Sequence, residues 1–361
     1  MKTFTYIANP SRVVFGAGAL QQLGREVEQL GATRALVLST PGQIDSAHRV
    51  VELLGARAAG VFAKAVMHVP IESAREARDE ARRLNADCAI AIGGGSTTGL
   101  GKAIALDSGL PVIAIPTTYA GSEMTPIWGL TEAGVKKTGR DPRVLPRTVI
   151  YDPELTLALP LDVTVTSAMN AIAHAVEGLY AHDGNPITAL LAEEGIRACA
   201  AALAPLERDQ RDIAARADAL YGAWLCGSVL GSVSMGLHHK LCHTLGGSFN
   251  LPHADVHTVV LPHALAYNSA QAPDAMRAIA RALHRVLGHE INEHDVPRAV
   301  QQLAARHGAP ESLAAIGMPA DGLDRAADLA VTNQYPNPRP LERAALRALL
   351  QRAFDGSPPL P

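Results

Sequence analysis

Histidines recur at helical spacing in the second half of this sequence. His239 and His243 lie four residues apart, as do Asn170 and His174, and His253 follows ten residues after His243. Residues four apart share one face of an α-helix, so each pair can point to the same place. Imidazoles that meet from separate helices are typical of a metal site or a proton-transfer site. The spacing predicts one shared site for the following histidines: His174, His239, His243, His253 and His257.

A second candidate site is a glycine-rich turn at Ala91–Gly99, between a buried strand and a helix. Glycine lets the backbone approach a ligand closely, and a helix N-terminus offers N–H groups to an anion. A Rossmann fingerprint would need glycine in place of Thr98, and a P-loop would need glycine in place of Ser96. A diphosphate site is favoured over an ordinary tight turn. The expected contacts are Gly93, Gly94, Gly95, Ser96 and Thr97.

A hydroxyl-rich loop, Ile115–Glu123, follows the next apolar run along the chain. Ligands of open parallel sheets gather at the carboxyl ends of the strands, so both loops should face one crevice. An ordinary hydroxyl-rich loop is the alternative interpretation.

The elements that must position these residues change in kind along the chain. In the first part, short apolar runs alternate with amphipathic stretches such as Ile71–Leu84, which predicts a mostly parallel sheet covered by helices. The candidate strands are Arg12–Phe15, Ala35–Ser39, Gly60–Ala63, Cys88–Ile92, Val112–Ile115 and Thr148–Tyr151.

From about Leu155 onward only helical periods remain. We therefore expect an α/β N-terminal dinucleotide-binding domain over residues 1–155 and an all-helical catalytic domain over residues 156–361. The predicted helices of the second domain are Val165–Ala181, Pro186–Ala204, Ile213–Leu230, His238–Gly246, Pro273–Leu287 and Leu341–Phe354.

Composition excludes several classes of partner. The 361 residues carry a net charge of -3, which argues against nucleic acid and against an acidic membrane surface. There is no apolar run of about 18 residues, so no membrane span is expected. Four widely spaced cysteines and the lack of a signal-peptide pattern predict a reduced, cytoplasmic protein.

Motifs spread over almost the whole chain resemble the iron-containing alcohol dehydrogenase superfamily. That resemblance implies a nucleotide-binding domain, a helical domain, catalysis in the cleft between them and a nicotinamide cofactor across the glycine turn. The matching segments are Phe15–Gly18, Gly93–Ser96, Ile115–Thr118, Gly121–Glu123, Asp152-Pro153, Asn170–His174, His239–His243, Pro252-His253 and Asn337–Arg339.

Within the superfamily, the stretches Gly95–Lys102, Thr117–Thr125 and Lys137–Arg140 resemble the maleylacetate reductases most. Those enzymes reduce the carbon–carbon double bond of 2-maleylacetate to give 3-oxoadipate, in bacterial degradation of aromatic compounds. Two departures from the metal-dependent members agree with this branch, because Asn170 and Gly99 stand where those members have aspartate.

The resemblance implies roles for individual residues. His243 is the expected proton donor or enolate stabiliser, supported by His253, His174 and His239. No metal is expected to be required; if one binds, its ligands are His174, His239 and His253. The expected cofactor contacts are the glycine turn, Thr117, Thr118 and Ser39, and the expected substrate contacts are Tyr119, Ser122, Asn170 and Lys240.

The predicted second strand ends at Ser39 without an acidic residue, so NADPH is permitted beside NADH. The expected substrate is a small dicarboxylate, and the resemblance suggests a homodimer. Candidate partners for its carboxylates are Lys102, Lys136, Lys137, Arg140, Lys240 and Arg339.

Two other functions stay open. A metal-dependent alcohol dehydrogenase acting on a small alcohol or aldehyde would use the same histidines as ligands. A non-catalytic nucleotide-binding protein would keep the scaffold without turnover.

Overall fold

The computed structural model describes residues 3–9, 11–132, 135–332 and 335–360. Its internal contacts form two compact units. The sheet unit is Ala8–Leu159, and the helical unit begins at Pro160 and includes the described residues up to Ile7. The predicted boundary lies between residues 155 and 156, four residues earlier. The carboxylate of Asp152 accepts hydrogen bonds from the backbone of Gly18 and Leu20, which ties this segment to the sheet unit.

A six-stranded parallel sheet forms the centre of the sheet unit, in the order β1-β8-β5-β4-β2-β3. Its central strands are entirely apolar and buried on both faces, as parallel sheets require. All the predicted strands are present, with ends that differ by no more than two residues. The strands are β1 (Arg12–Phe15), β2 (Ala35–Leu38), β3 (Ala58–Phe62), β4 (Cys88–Gly93), β5 (Val112–Pro116) and β8 (Thr148–Tyr151).

An antiparallel hairpin, β6 (Ile127–Glu132) and β7 (Val135–Arg140), was not predicted. Within β6 only Leu130 is buried, so the apolar alternation that marks a strand is missing. The side chain of Lys136, one of the basic candidates, lies outside the described residues.

Helices cover the sheet with small, apolar faces. On α3 the buried residues are Ala74, Ala77 and Ala81, whose spacing places them on one side, while the charged side chains face solvent. The helix α4 begins at Gly95, directly after the glycine turn. The helices of this unit are α1 (Leu23–Gln29), α2 (Ile44–Leu54), α3 (Ile71–Arg83) and α4 (Gly95–Ser108).

The helical unit has no strand among its described residues, as expected. Three of its helices, α9, α11 and α12, were not predicted. The helix α9 was missed because Val256–Asn268 is buried on every side, which removes the amphipathic period. The helices are α5 (Leu161–Leu179), α6 (Pro186–Arg208), α7 (Ile213–Ser232), α8 (Leu237–Phe249), α9 (His253–Asn268), α10 (Pro273–Leu287), α11 (Val296–Arg306), α12 (Leu323–Thr332) and α13 (Arg343–Asp355).

A helix that spans a membrane must be both long and apolar. In the part of the chain that the structure describes, no single helix meets both requirements for a membrane span, and only the pair α7 and α8, bent by 98°, would meet them jointly.

Glycines allow the central helices of this unit to approach closely. A Cβ atom on Gly178 of α5 would lie 2.1 Å from Cγ1 of Val229 on α7. Gly195 of α6 and Gly222 of α7 are packed in the same way against Cys226 and Cys199. Because α5 also carries the first candidate histidine, this packing determines where that side chain lies.

We predict that Gly178→Ala lowers the free energy of unfolding of the helical unit by about 1–3 kcal/mol, because the added methyl group overlaps Val229. Denaturant unfolding followed by circular dichroism measures the change. Gly247→Ala on α8 is the matched control, since a Cβ atom there meets nothing within 4 Å and alanine favours the helix. Equal destabilisation by both substitutions would contradict the packing argument.

Candidate active site

The predicted histidines do meet in the helical unit. His174 comes from α5, His239 and His243 from α8, and His253 and His257 from α9. The shortest distances between ring centroids in the cluster are 4.4 Å for His253 and His257 and 4.9 Å for His239 with each of His174 and His257. The ring centroid of His243 lies 6.3 Å from the ring centroids of both His239 and His253. Three helices therefore converge on one histidine cluster.

A chain of hydrogen bonds runs through the buried part of this cluster. Asn170 Nδ2 lies 3.3 Å from His174 Nε2, and His174 Nδ1 lies 2.7 Å from His239 Nε2. His239 Nδ1 then lies 2.6 Å from the Glu177 carboxylate. An amide nitrogen only donates and a carboxylate only accepts, so each link has one direction. His174 receives from Asn170 and donates to His239, which donates to Glu177.

Glu177 is a residue of this candidate site that sequence reasoning missed. Its carboxylate accepts hydrogen bonds from the backbone N–H groups of Gly236, His238 and His239, at 3.0, 2.8 and 3.2 Å. It therefore caps the start of α8, where N–H groups lack partners within the helix. The signal was its position three residues after His174, which places both on one helix face.

The environment of Glu177 keeps this carboxylate ionised. Burial alone would raise its pKa, but the hydrogen bond from His239, the charge interactions with His239 and His238, and the backbone N–H of His238 lower the pKa to about 2. A fixed negative charge in the interior orients His239, with its proton on Nδ1 and its Nε2 atom free to accept.

A second buried pair lies behind the chain. His238 Nε2 is 2.9 Å from His257 Nδ1, and the Cys242 sulfur lies 3.6 Å from His238 Nε2. Burial lowers the pKa of His238 to about 3 and that of His257 well below its ordinary value. Both rings are thus neutral at physiological pH. His257 Nε2 is buried without a hydrogen-bond partner.

Solvent reaches the cluster at one side. His243 is exposed and His253 is half-buried, whereas His174 and His239 are only 3% and 5% exposed. The rings of His243 and His253 stack with an interplanar angle of 16°. A ligand can approach His243 and His253 directly, while the other rings support them from inside.

One pair of the predicted metal ligands, His174 and His239, is not spaced as two ligands of one ion. Two ring nitrogens on one tetrahedral ion, with bonds of about 2.0–2.1 Å, lie roughly 3.3 Å apart. His174 Nδ1 and His239 Nε2 are closer, at 2.7 Å, and bond to each other. Asn170 supplies a neutral amide beside His174, although three histidines without an anionic ligand can hold a divalent ion.

The sheet unit places the glycine turn and the hydroxyl-rich loop side by side. The backbone N–H of Thr117 donates to Gly93 O at 3.0 Å, and a Cβ atom on Gly94 would lie 3.1 Å from the Thr118 hydroxyl. Gly93 has φ 148°, a conformation that favours glycine. No side chain caps the start of α4 at Gly94, which is therefore open to an anion.

Gln43, at the start of α2, was also missed. Its amide donates to the Thr117 hydroxyl at 2.9 Å, and its carbonyl oxygen would lie 2.6 Å from a Cβ atom on Gly93. Gln43 thus joins the chain after β2 to the two loops after β4 and β5. No motif contains it, so only the topology of the sheet could have indicated it.

The other predicted cofactor and substrate residues differ in accessibility. Gly94, Gly95, Ser96 and Thr118 are partly exposed, whereas Thr97 and Ser39 are fully buried with hydroxyl groups that lack partners. Tyr119 is also fully buried. Ser122 accepts hydrogen bonds from Lys102.

The basic candidates have varied surroundings. Lys240 is half-buried, with its ammonium 5.8 Å from the centre of the Tyr335 ring. Arg339 lies over the ring of Tyr267 at 4.2 Å, and Lys137 pairs with Glu132. Arg140 is exposed.

We predict that Glu177→Gln lowers the free energy of unfolding by about 3 kcal/mol. The two carboxylate oxygens of Glu177 accept four hydrogen bonds, and the single oxygen of a glutamine amide cannot accept them all. Urea unfolding measures the difference. Glu207→Gln is the control, since that carboxylate also bonds a histidine, His307, but is 49% exposed. Its effect should stay within about 0.5 kcal/mol. A loss at Glu177 no larger than at Glu207 would remove the assigned role.

Comparison with known proteins extends these observations to the whole chain. Residues 10–153 match the family model described as iron-containing alcohol dehydrogenase, and residues 164–354 match the C-terminal model of the Fe-containing alcohol dehydrogenase family.

Relatives cover the full length. A maleylacetate reductase from Burkholderia cepacia is 68% identical, over 99% of this chain and 100% of the relative. One from Sphingobium indicum is 55% identical, over 99% of each chain. The crystal structure of the maleylacetate reductase from Agrobacterium tumefaciens is 53% identical, with a TM-score of 0.93 over 99% of this chain and 100% of that one. The chain belongs to the iron-containing alcohol dehydrogenase family.

Proposed function

We propose that this protein is an NAD(P)H-dependent reductase that converts 2-maleylacetate to 3-oxoadipate in bacterial degradation of aromatic compounds. The observation that carries the proposal is the one-directional chain from Asn170 through His174 and His239 to Glu177. Full-length identity of 68% to a maleylacetate reductase supports the same substrate.

The reaction places specific demands on the protein. Hydride adds to the alkene carbon that is β to the ketone, and the electron pair of the double bond moves to the ketone oxygen as an enolate. A proton then adds to the neighbouring carbon. An enolate is stabilised by hydrogen-bond donors placed where its charge develops, and an imidazole can both donate and supply the proton.

The accessible rings meet those demands. His243 is exposed and is assigned as the donor to the enolate or to its carbon, with the stacked ring of His253 beside it. His174 and His239 hold their protons in fixed positions and support the exposed pair from the interior. Lys240 and Asn170 are proposed to bind the substrate.

The identity of residue 170 matters for this chemistry. Asparagine donates to His174 Nε2, which makes His174 donate from Nδ1 to His239. An aspartate would accept instead, and would draw a second proton or a cation into the cluster. We therefore propose that catalysis requires no metal.

The nicotinamide cofactor supplies the hydride. Its diphosphate is proposed to bind at the glycine turn, through Gly93, Gly94, Gly95 and Ser96, with Thr117 and Thr118 beside it. The stretch Leu38–Gly42 at the end of β2 has no acidic residue to repel a 2′-phosphate, which permits either NADH or NADPH. Because the Ser39 hydroxyl is buried, the half-buried Thr40 and Gln43 are better placed to meet the ribose.

One observation favours a second function, a metal-dependent dehydrogenase of a small alcohol or aldehyde. A carboxylate that orients a histidine, as Glu177 orients His239, is common behind metal ligands. We further propose a cytoplasmic homodimer, since β1 lies at an exposed edge of the sheet.

We predict that the purified protein oxidises NADH or NADPH when maleylacetate is added, and that EDTA treatment leaves the rate unchanged. The absorbance of the reduced nicotinamide measures the rate of cofactor oxidation before and after EDTA treatment. Simple alcohols with NAD⁺, with and without added Fe²⁺ or Zn²⁺, form the comparison. Loss of activity on chelation and its return with metal would support the alcohol dehydrogenase instead.

We predict that His243→Ala lowers kcat by about 10²–10⁴-fold, because a proton donor is removed. The Kd for NADH should change less than twofold, since the cofactor is assigned to the sheet unit. His294→Ala is the control, as that side chain is 76% exposed and away from the cluster's helices. A His243→Ala variant that loses cofactor affinity as strongly as turnover would refute this role.

A further inference from the structure

Lys102 on α4 is a lysine whose side chain is almost completely enclosed, with 1% exposure. Its ammonium donates to Ser122 O at 2.6 Å, Ile127 O at 2.8 Å and the Thr125 hydroxyl at 2.9 Å. A buried ammonium is costly unless acceptors surround it. All of these acceptors belong to one segment, residues 122–127, so the cation holds that segment against α4.

The same segment is fixed at its other end by different contacts. Thr117 bonds to Gly93 through its backbone and receives a hydrogen bond from Gln43 through its side chain. Residues 118–121 lie between these two anchors, where Thr118 and Ala120 border the glycines at 94 and 95. The position of this stretch against the glycine turn therefore depends on Lys102 at one end and Thr117 at the other.

We infer that Lys102 is a positioning residue for the nicotinamide cofactor, which clamps the loop of residues 118–127 beside the glycine turn. This inference rests on the proposed function only in assuming that the cofactor binds at that turn. Lys102 does not reach a substrate carboxylate, because its donors are directed into its own unit.

The buried residue Glu123 lies near the ammonium of Lys102 and offsets its charge. Burial lowers the pKa of Lys102 to about 7, and the nearby Glu123 carboxylate opposes that shift. Glu123 is itself enclosed and accepts from the Tyr151 hydroxyl at 2.8 Å. Three oxygen atoms lie within 2.9 Å of Nζ and the Ser122 hydroxyl lies at 3.2 Å, an arrangement that suits the three hydrogens of an ammonium.

If Lys102 only stabilises the fold, Lys102→Met is less stable but binds the cofactor with unchanged affinity at any temperature at which it is folded. A positioning role changes affinity. Arg78→Met is the matched control, because Arg78 also donates to α4, at Ala103 O, and its guanidinium bonds are made there and not to the acceptors of Lys102. Thr125→Val is a milder variant that removes one acceptor of Lys102 while keeping the side-chain shape.

The experiment titrates each variant with NADH, followed by fluorescence, in the absence of maleylacetate, and then measures steady-state kinetics. We expect Lys102→Met to raise the Kd and KM for NADH at least tenfold with kcat reduced less than threefold, and Arg78→Met to change the Kd less than twofold. If Lys102→Met does not fold, Thr125→Val decides, with an expected rise of at least threefold.

Wild-type affinity in Lys102→Met, or in Thr125→Val where that variant decides, overturns the inference, as does equal weakening by Arg78→Met. The binding measurement separates this inference from the proposed function. A wild-type protein that binds NADH but does not reduce maleylacetate would disprove the substrate and leave the role of Lys102 intact.

Discussion

The buried carboxylate of Glu177 is the interaction on which the arrangement of the site depends. It joins α5 to the first turn of α8 through three backbone N–H groups, and it orients His239 in the same place. A charge removed from water must be matched by donors, so the helix start and the imidazole are held together as one unit. Without that anion, neither the start of α8 nor the proton position on His239 would be specified.

The direction of the hydrogen bonds connects this structural role to chemistry. Glu177 at one end only accepts and the Asn170 amide nitrogen at the other end only donates, so the two imidazoles between them are linked in one direction. A dehydrogenase that polarises a carbonyl benefits from a cation at this place. A reductase that creates an enolate needs oriented donors, and the chain supplies the fixed background for them.

The sequence was sufficient to predict the sheet and the meeting of the histidines. Short apolar runs that alternate with amphipathic stretches, and histidines at i,i+4 spacing, are both local signals. It was insufficient for elements whose residues are all buried or nearly all exposed, and for side chains whose hydrogen-bond partners lie far away in the sequence. The helix α9 has no polar face to reveal its period, and the hairpin β6–β7 has almost no buried face. Glu177, Gln43 and Lys102 each act through contacts that only the folded chain creates, with residues 59 to 62, 74 and 20 to 25 positions away respectively.

The contrast in exposure within the histidine cluster also bears on how the enzyme can change. His174 and His239 are enclosed and committed to fixed partners, whereas His243 and His253 border solvent. If the substrate binds at the outer pair as proposed, a bulkier substrate contacts that pair and its neighbours before the enclosed rings. Laboratory evolution toward new substrates should therefore find tolerated substitutions around the outer rings, and the interior should remain nearly invariant during such selection.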